Sequence, residues 1–322
     1  MEWKTRVTEL LGCRYPIIEG AYNGFGNWQF AAAIANTGAH GLITAHVSRT
    51  PEKLREDIKR CRDATGGSFG VNLSIGLCPQ AEEMLEVCIE AGVQVETSGY
   101  KPDALVPRIK EAGIIWIHKS ARIKDAIHAE HLGADAVIVV GLEGAGFKSP
   151  EQLPTFITTC WGSKQVKVPF IAAGGIGDAR SFLGALGMGA EGVMLGTAFM
   201  AAEECPINKA SKEALVEALP DNPTLRFRTL ASADPEKYAE IMKMRNELPP
   251  EKWLPMLEKI QPSHLGLNHL SDGSEQFESG IGRVASMAVG AIDRVSTAQE
   301  LIDSIIQGAE EILDSWQFLK TR

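Results

Sequence analysis

No stretch of this 322-residue chain approaches the roughly 18 consecutive apolar residues that a membrane-spanning helix requires. The N-terminus, MEWKTRVTELLG, has no basic segment leading into an apolar core, so no secretory signal and a cytoplasmic location are expected. Its six cysteines never fall as C-x-x-C, and no Cys/His cluster has zinc spacing, so reduced, buried thiols and no metal site are expected. The net charge is -9, and no basic stripe exists to neutralise a phosphate backbone, so nucleic acid is not an expected partner. The acidity is uneven: residues 201–322 hold 13 Lys+Arg against 20 Asp+Glu.

What the chain does have is a recurring phrase: a helical stretch, a glycine, then an apolar, largely β-branched run. It occurs as NTGAHGLITA (36–45), EAGVQVETSG (90–99), EAGIIWIHKS (111–120), HLGADAVIVVG (131–141) and GMGAEGVMLGT (187–197). Each reads as a helix closed by a glycine and feeding directly into a buried strand. PIIEG (16–20), FGVNLS (69–74) and VPFIAAGG (168–175) add three strands, making eight. The strands are continuous apolar runs, as expected when both faces are covered. Between them lie amphipathic segments such as PEKLREDIKRCRDA and QAEEMLEVCIEA. The expected fold is an α/β (β/α)8 barrel with an added C-terminal helical subdomain. The barrel is expected to take residues 1–202 and part of 278–322. Residues 203–277 then form a helical insertion packed on it, a candidate contributor to a homo-oligomer.

In a (β/α)8 barrel the site is built at the C-terminal ends of the strands. Two of those ends are glycine-rich: AAGGIGD (172–178) after the seventh strand and LGTAF (195–199) after the eighth. Backbone N–H groups in these turns suit a phosphate, which nominates Ala173, Gly174, Gly175, Gly196 and Thr197. Asn72, ending the third strand, can donate and accept in one plane, which suits a heterocycle edge, unless the core itself satisfies it. Lys119, ending the fifth, needs an anionic partner: a phosphate, an electron-rich ring, or Glu96. His118, one residue earlier, is expected to point to the opposite side of the strand.

The ordered set PIIEGAYNG, FGVNLS, VETSG, IHKS, G-x-E-x-A-G, AAGGIGDAR and MLGTAFMAAEECP resembles the nitronate monooxygenase-like flavoproteins. That group includes flavin-type enoyl-acyl carrier protein reductases and NADH:quinone reductases. The resemblance covers residues 5–210 well and 278–315 weakly. It implies non-covalent FMN with its phosphate on Gly174-Gly175 and Gly196-Thr197. Ala21, Tyr22, Asn72 and Lys119 would lie around the flavin ring, and Gly144, Ala145 and Gly146 would pass close to it.

One position departs from that pattern. The family motif G-x-E-A-G-G-H ends in a histidine, the base that removes the substrate proton in nitronate monooxygenases. Here the stretch is GLEGAGF, and Phe147 stands in the histidine slot. A phenylalanine carries no proton, so it can only pack, stack or exclude water. Proton abstraction from a nitroalkane by this residue is therefore excluded. Flavin chemistry that needs no such base survives: NADH or NADPH reduces FMN, and a quinone or an enoyl-thioester-like acceptor is reduced in turn. The alternatives are a nitronate monooxygenase with its histidine replaced, and a flavin-binding protein without turnover. If an acid is needed, Lys148, Tyr22, His264 and His269 are the candidates.

Overall fold

All five glycines of the repeated phrase, Gly38, Gly92, Gly113, Gly133 and Gly189, adopt positive φ. Each ends a helix and turns the chain into a strand, as the sequence predicts. The computed structural model describes residues 1–22, 24–75, 78, 80–99, 101–145, 153–222, 225, 235–244, 247–248, 252–253, 256 and 285–316. Phe147, Lys148, Gly146, His264 and His269 lie outside the described residues.

Eight strands run in parallel: β1 (Ile17–Glu19), β2 (Gly41–Thr44), β3 (Phe69–Ser74), β4 (Gln94–Ser98), β5 (Trp116–Ser120), β6 (Ala136–Val140), β7 (Phe170–Ala173) and β8 (Gly192–Leu195). Their order in the sheet is β1-β8-β7-β6-β5-β4-β3-β2. The ring closes between β1 and β2 through a single bridge, Ile18 to His40. Above that bridge the ladder is continued by a side chain, because the Leu42 N–H donates to Glu19 Oε2 at 2.7 Å.

Helices alternate with the strands: α1 (Arg6–Leu11), α2 (Trp28–Asn36), α3 (Ala45–Ser48), α4 (Pro51–Ala64), α5 (Ala81–Ala91), α6 (Val106–Ala112), α7 (Ile123–His131), α8 (Thr155–Gly162), α9 (Ala179–Gly187) and α10 (Thr197–Met200). Two apolar layers follow from the strand period of two. Ile18, Leu42, Ile117, Ile138, Ile171 and Met194 fill the barrel, which Val7 and Leu11 of α1 also pack against. Ile43, Val71, Val95, Trp116, Val139 and Phe170 face outward to the helices. The fold is the expected (β/α)8 barrel.

The helix that completes the ring comes from far along the chain. α10 has only four residues, and α11 (Lys209–Glu217) and α12 (Pro235–Met244) follow it. The last helix, α13 (Ala298–Ser315), packs between α9 and α2, where a helix after β8 belongs. Thr297 and Glu300 cap it reciprocally, and Ile302, Ile305, Ile306 and Ala309 are its buried stripe. Burying each isoleucine is worth about 2 kcal/mol. At Gly308 an added Cβ would come within 2.9 Å of Ala179 Cβ, so the glycine sets how closely α13 approaches α9. Among the described residues no helix is long and apolar enough to cross a membrane.

Candidate active site

The turns after β7 and β8 form one glycine-lined shelf. Gly174 and Gly175 have φ of 111° and 74°. A Cβ on Gly174 would fall 2.7 Å from Thr155 Oγ1 and 2.9 Å from the Gly144 nitrogen. Only glycine therefore lets the β7 turn and the β6 loop meet. At Gly196 an added Cβ would meet nothing within 4 Å among the described residues, so on their side this glycine borders open space. Among the described residues the N–H groups of Gly174, Gly175, Gly196 and Thr197 have no acceptor. Four donors without an acceptor among the described residues, on two adjacent turns, form a shelf of the kind that can accept an anion.

The shelf is braced from three directions. Glu143 accepts from both the N–H and the hydroxyl of Thr155 at 2.7 Å each, which ties the β6 loop to the start of α8. The acid of the GLEGAGF motif is thus a helix cap here. From the C-terminal part of the chain, the Ser286 N–H donates to Thr197 Oγ1 at 2.8 Å, and the Met287 N–H donates to the Glu143 carbonyl at 2.9 Å. Thr197 thereby spends an acceptor site on Ser286 and keeps its own proton. On the third side Tyr22, 8% exposed, donates its hydroxyl to the Gly196 carbonyl at 2.9 Å and stacks on Phe25 with 4.7 Å between ring centroids. Burial, with Glu19 nearby, raises its phenol well above the ordinary range. Tyr22 is a strut under the shelf, and its proton is committed to the backbone. Ala21, beside it, is half-buried and packs against the interior of the barrel.

The opposite wall of the mouth is polar. Asn72 of β3 is fully buried and sits level with Glu96 of β4; Ser98 of β4 sits level with Lys119 of β5. Asn72 Nδ2 donates to Glu96 Oε1 at 2.8 Å and to Ser98 Oγ at 3.1 Å. Its Oδ1 accepts from Ser74 Oγ at 2.8 Å. The reading of Asn72 as satisfied by the core describes its amide protons, both of which are used. One lone pair on Oδ1 remains for another partner. Lys119 is half-buried, and among the described residues its ammonium has no hydrogen-bond acceptor. Glu96 is near enough to feel its charge.

Two buried carboxyls dominate the electrostatics. Burial raises Glu96 to about 7, against the pull of Lys119 and the Asn72 hydrogen bond. Burial lifts Glu19 well above the carboxylate range, and the charge of Glu96 adds to the effect. One oxygen of each, Glu96 Oε2 and Glu19 Oε1, is enclosed with no partner among the described residues. His118 lies on the other face of β5, with Nδ1 2.9 Å from Thr97 Oγ1, and burial lowers it to about 4. It belongs to the layer under the helices, as the strand period predicts. Glu19 carries little signal in the sequence, only that of an acid inside the apolar run PIIEG.

A profile of the nitronate monooxygenase family matches residues 4–308. The chain is 32% identical over 223 residues to the (3aS,4S,5R,7aS)-5-hydroxy-7a-methyl-1-oxo-octahydro-1H-indene-4-carboxyl-CoA dehydrogenase of Mycobacterium tuberculosis. That match covers 68% of this chain and only 61% of the dehydrogenase. A probable nitronate monooxygenase of Staphylococcus aureus is 29% identical over 259 residues, covering 67% of this chain and 73% of that protein. Among solved structures, FabK from Thermotoga maritima superposes with a TM-score of 0.78 at 29% identity, over 98% of this chain and 99% of the other. Nitroalkane oxidase from Streptomyces ansochromogenes, with a TM-score of 0.70 and 20% identity, shares the fold. By the extent of the profile match, which runs from α1 into the helix that completes the barrel, the chain belongs to the nitronate monooxygenase family.

Proposed function

We propose that the protein is an FMN-dependent oxidoreductase that carries electrons from NADH or NADPH to a conjugated acceptor, either an enoyl-thioester-like compound or a quinone. The observation that carries this reading is the shelf of unpaired N–H groups at Gly174, Gly175, Gly196 and Thr197, across the barrel mouth from Asn72 and Lys119. These residues fit a phosphorylated, planar, electron-accepting group. The N–H groups would hold its phosphate, with no net positive charge needed on the shelf itself. Lys119 brings to the polar wall an ammonium without an acceptor among the described residues, where it would favour negative charge on a ring. Gly144, Ala145 and Gly146 give the β6 loop little side-chain bulk, and Gly144 is held against Gly174. When bound, FMN supplies the hydride chemistry itself.

The thioester side of the reading is supported by the coenzyme A substrate in the name of the Mycobacterium tuberculosis relative. The Staphylococcus aureus relatives favour a second reading, oxidation of a nitronate that is already deprotonated. Phe147 weighs against any version in which this position removes the proton.

An anaerobic absorbance titration of the FMN-loaded protein with NADH, then NADPH, tests the proposal. Bleaching of the flavin band by either nucleotide, followed by its return with a quinone or an enoyl thioester, is the expected result. Oxygen uptake with propionate 3-nitronate and no bleaching by nicotinamides would move the assignment to the second reading. Bound flavin that none of these reagents reduces or reoxidises would make the protein a flavin-binding protein without turnover.

A further inference from the structure

The polar wall of the barrel mouth is organised by one carboxyl. Asn72 spends both amide protons inside the wall, one on Glu96 Oε1 and one on Ser98 Oγ. An ionised Glu96 has only acceptors, so it holds the Asn72 NH2 toward itself. A protonated Glu96 has a proton to donate, and it can then meet the carbonyl end of a reversed Asn72 amide. Ser74 and Ser98 tolerate either direction, because hydroxyls both donate and accept. The two Ser oxygens are themselves only 3.2 Å apart, so the four side chains form a closed network.

Charge follows the same carboxyl. Lys119 stands on the next strand, level with Ser98, half-buried and without an acceptor among the described residues. The charged and titratable groups that bear on Glu96 are Lys119 from β5 and Glu19 from β1. Glu19 is enclosed, and burial favours its neutral form. Between Lys119 and Glu96 alone, the wall is one charge more positive when Glu96 is protonated than when it is ionised. Glu96 Oε2 is closed off from solvent, so the carboxyl works through its neighbours and not by contact with a substrate.

We propose that Glu96 is a positioning residue of the candidate cofactor site: its carboxyl sets the direction of the Asn72 amide and the net charge that Lys119 presents to the cofactor ring. This rests on the FMN reading above. Burial brings the titration of Glu96 to about 7, so the change falls within the working pH range. Reduction adds electrons to the ring, so a wall that is more positive favours the reduced form. The ionised carboxyl opposes it.

The test is the midpoint potential of bound FMN measured against reference dyes from pH 5.5 to 8.5, in the wild type and in Glu96→Gln. Glutamine keeps an oxygen for the Asn72 amide and carries no charge at any of these pH values; its NH2 takes the place of one carboxyl oxygen and, like the protonated acid, donates. The expected result is a potential for E96Q that equals that of the wild type at pH 5.5 and becomes progressively more positive than it above pH 7. Glu96→Ser, which also carries no charge, keeps the test alive if Glu96→Gln folds poorly. Parallel curves for the wild type and the uncharged variant overturn the proposal and leave the FMN reading standing. Failure of the wild type to bind FMN overturns both.

Discussion

Removing the Glu96 charge is predicted to stabilise the folded protein at neutral and alkaline pH, and not at acid pH. In the unfolded chain the carboxyl ionises near 4.5; in the fold it holds its proton up to about 7. Between those values the folded state binds a proton that the unfolded state has released. Stability contributed by the proton is therefore complete below about pH 4.5 and lost as pH rises through 7. One pKa unit is worth about 1.4 kcal/mol, so the full loss is about 3 kcal/mol, of which about 2 kcal/mol falls between pH 5.5 and 8. Glu96→Gln does not titrate. The assay is urea unfolding of both proteins at several pH values, read as the difference between them. His40 and His118, lowered by burial to about 3 and about 4, act in the opposite direction. They resist protonation in the fold, so their stability is present above pH 6.5 and lost on acidification. They are common to both proteins and cancel in the difference. A difference that grows by about 2 kcal/mol in favour of E96Q from pH 5.5 to 8, then levels off, is expected. A difference that does not change with pH would refute the reasoning, since it would mean that Lys119 fully compensates the buried charge.

Other expectations follow from the shelf and its braces. Gly174→Ala forces a positive-φ alanine against Gly144 and Thr155, and should cost about 2 kcal/mol or more by thermal or urea unfolding. Tyr22→Phe removes one of the two donors to the Gly196 carbonyl, leaving the Met200 N–H at 3.2 Å; a loss of about 1 kcal/mol in stability by urea unfolding is expected, with weaker FMN binding. Phe147→His should introduce oxygen uptake with a neutral nitroalkane, measured at an oxygen electrode, where the wild type shows none.

Much of this architecture is legible in the sequence because it rests on local chemistry. The helix–glycine–strand phrase works through backbone conformation, and PEKLREDIKRCRDA forms a helix over the full span Pro51–Ala64. FGVNLS is likewise β3 from end to end. What depends on distant packing is less legible. TFITTCWG is rich in β-branched and apolar residues, yet it forms α8, started by the side chain of Glu143. Nothing local says that Ala298–Ser315 supplies the helix that completes the barrel; that follows from its apolar stripe meeting α9 and α2. The same holds in the site. The glycine turns after β7 and β8 announce themselves, whereas the role of Tyr22 as a strut depends on a carbonyl 174 residues away. The burial of Glu19 and Glu96 depends on closure of the ring, which no short window contains.

In the proposed function the β7–β8 shelf holds the phosphate of FMN. Gly196 is the point at which to probe this, because an added methyl there meets no atom within 4 Å among the described residues. Gly196→Ala should leave the unfolding midpoint of the ligand-free protein unchanged. Titrated with FMN and followed by flavin fluorescence, the wild type should bind one FMN per chain, and G196A should bind at least tenfold more weakly, since about 1.4 kcal/mol of lost contact suffices for that factor. Equal affinity of the two proteins for FMN, or no binding by the wild type, would contradict the account.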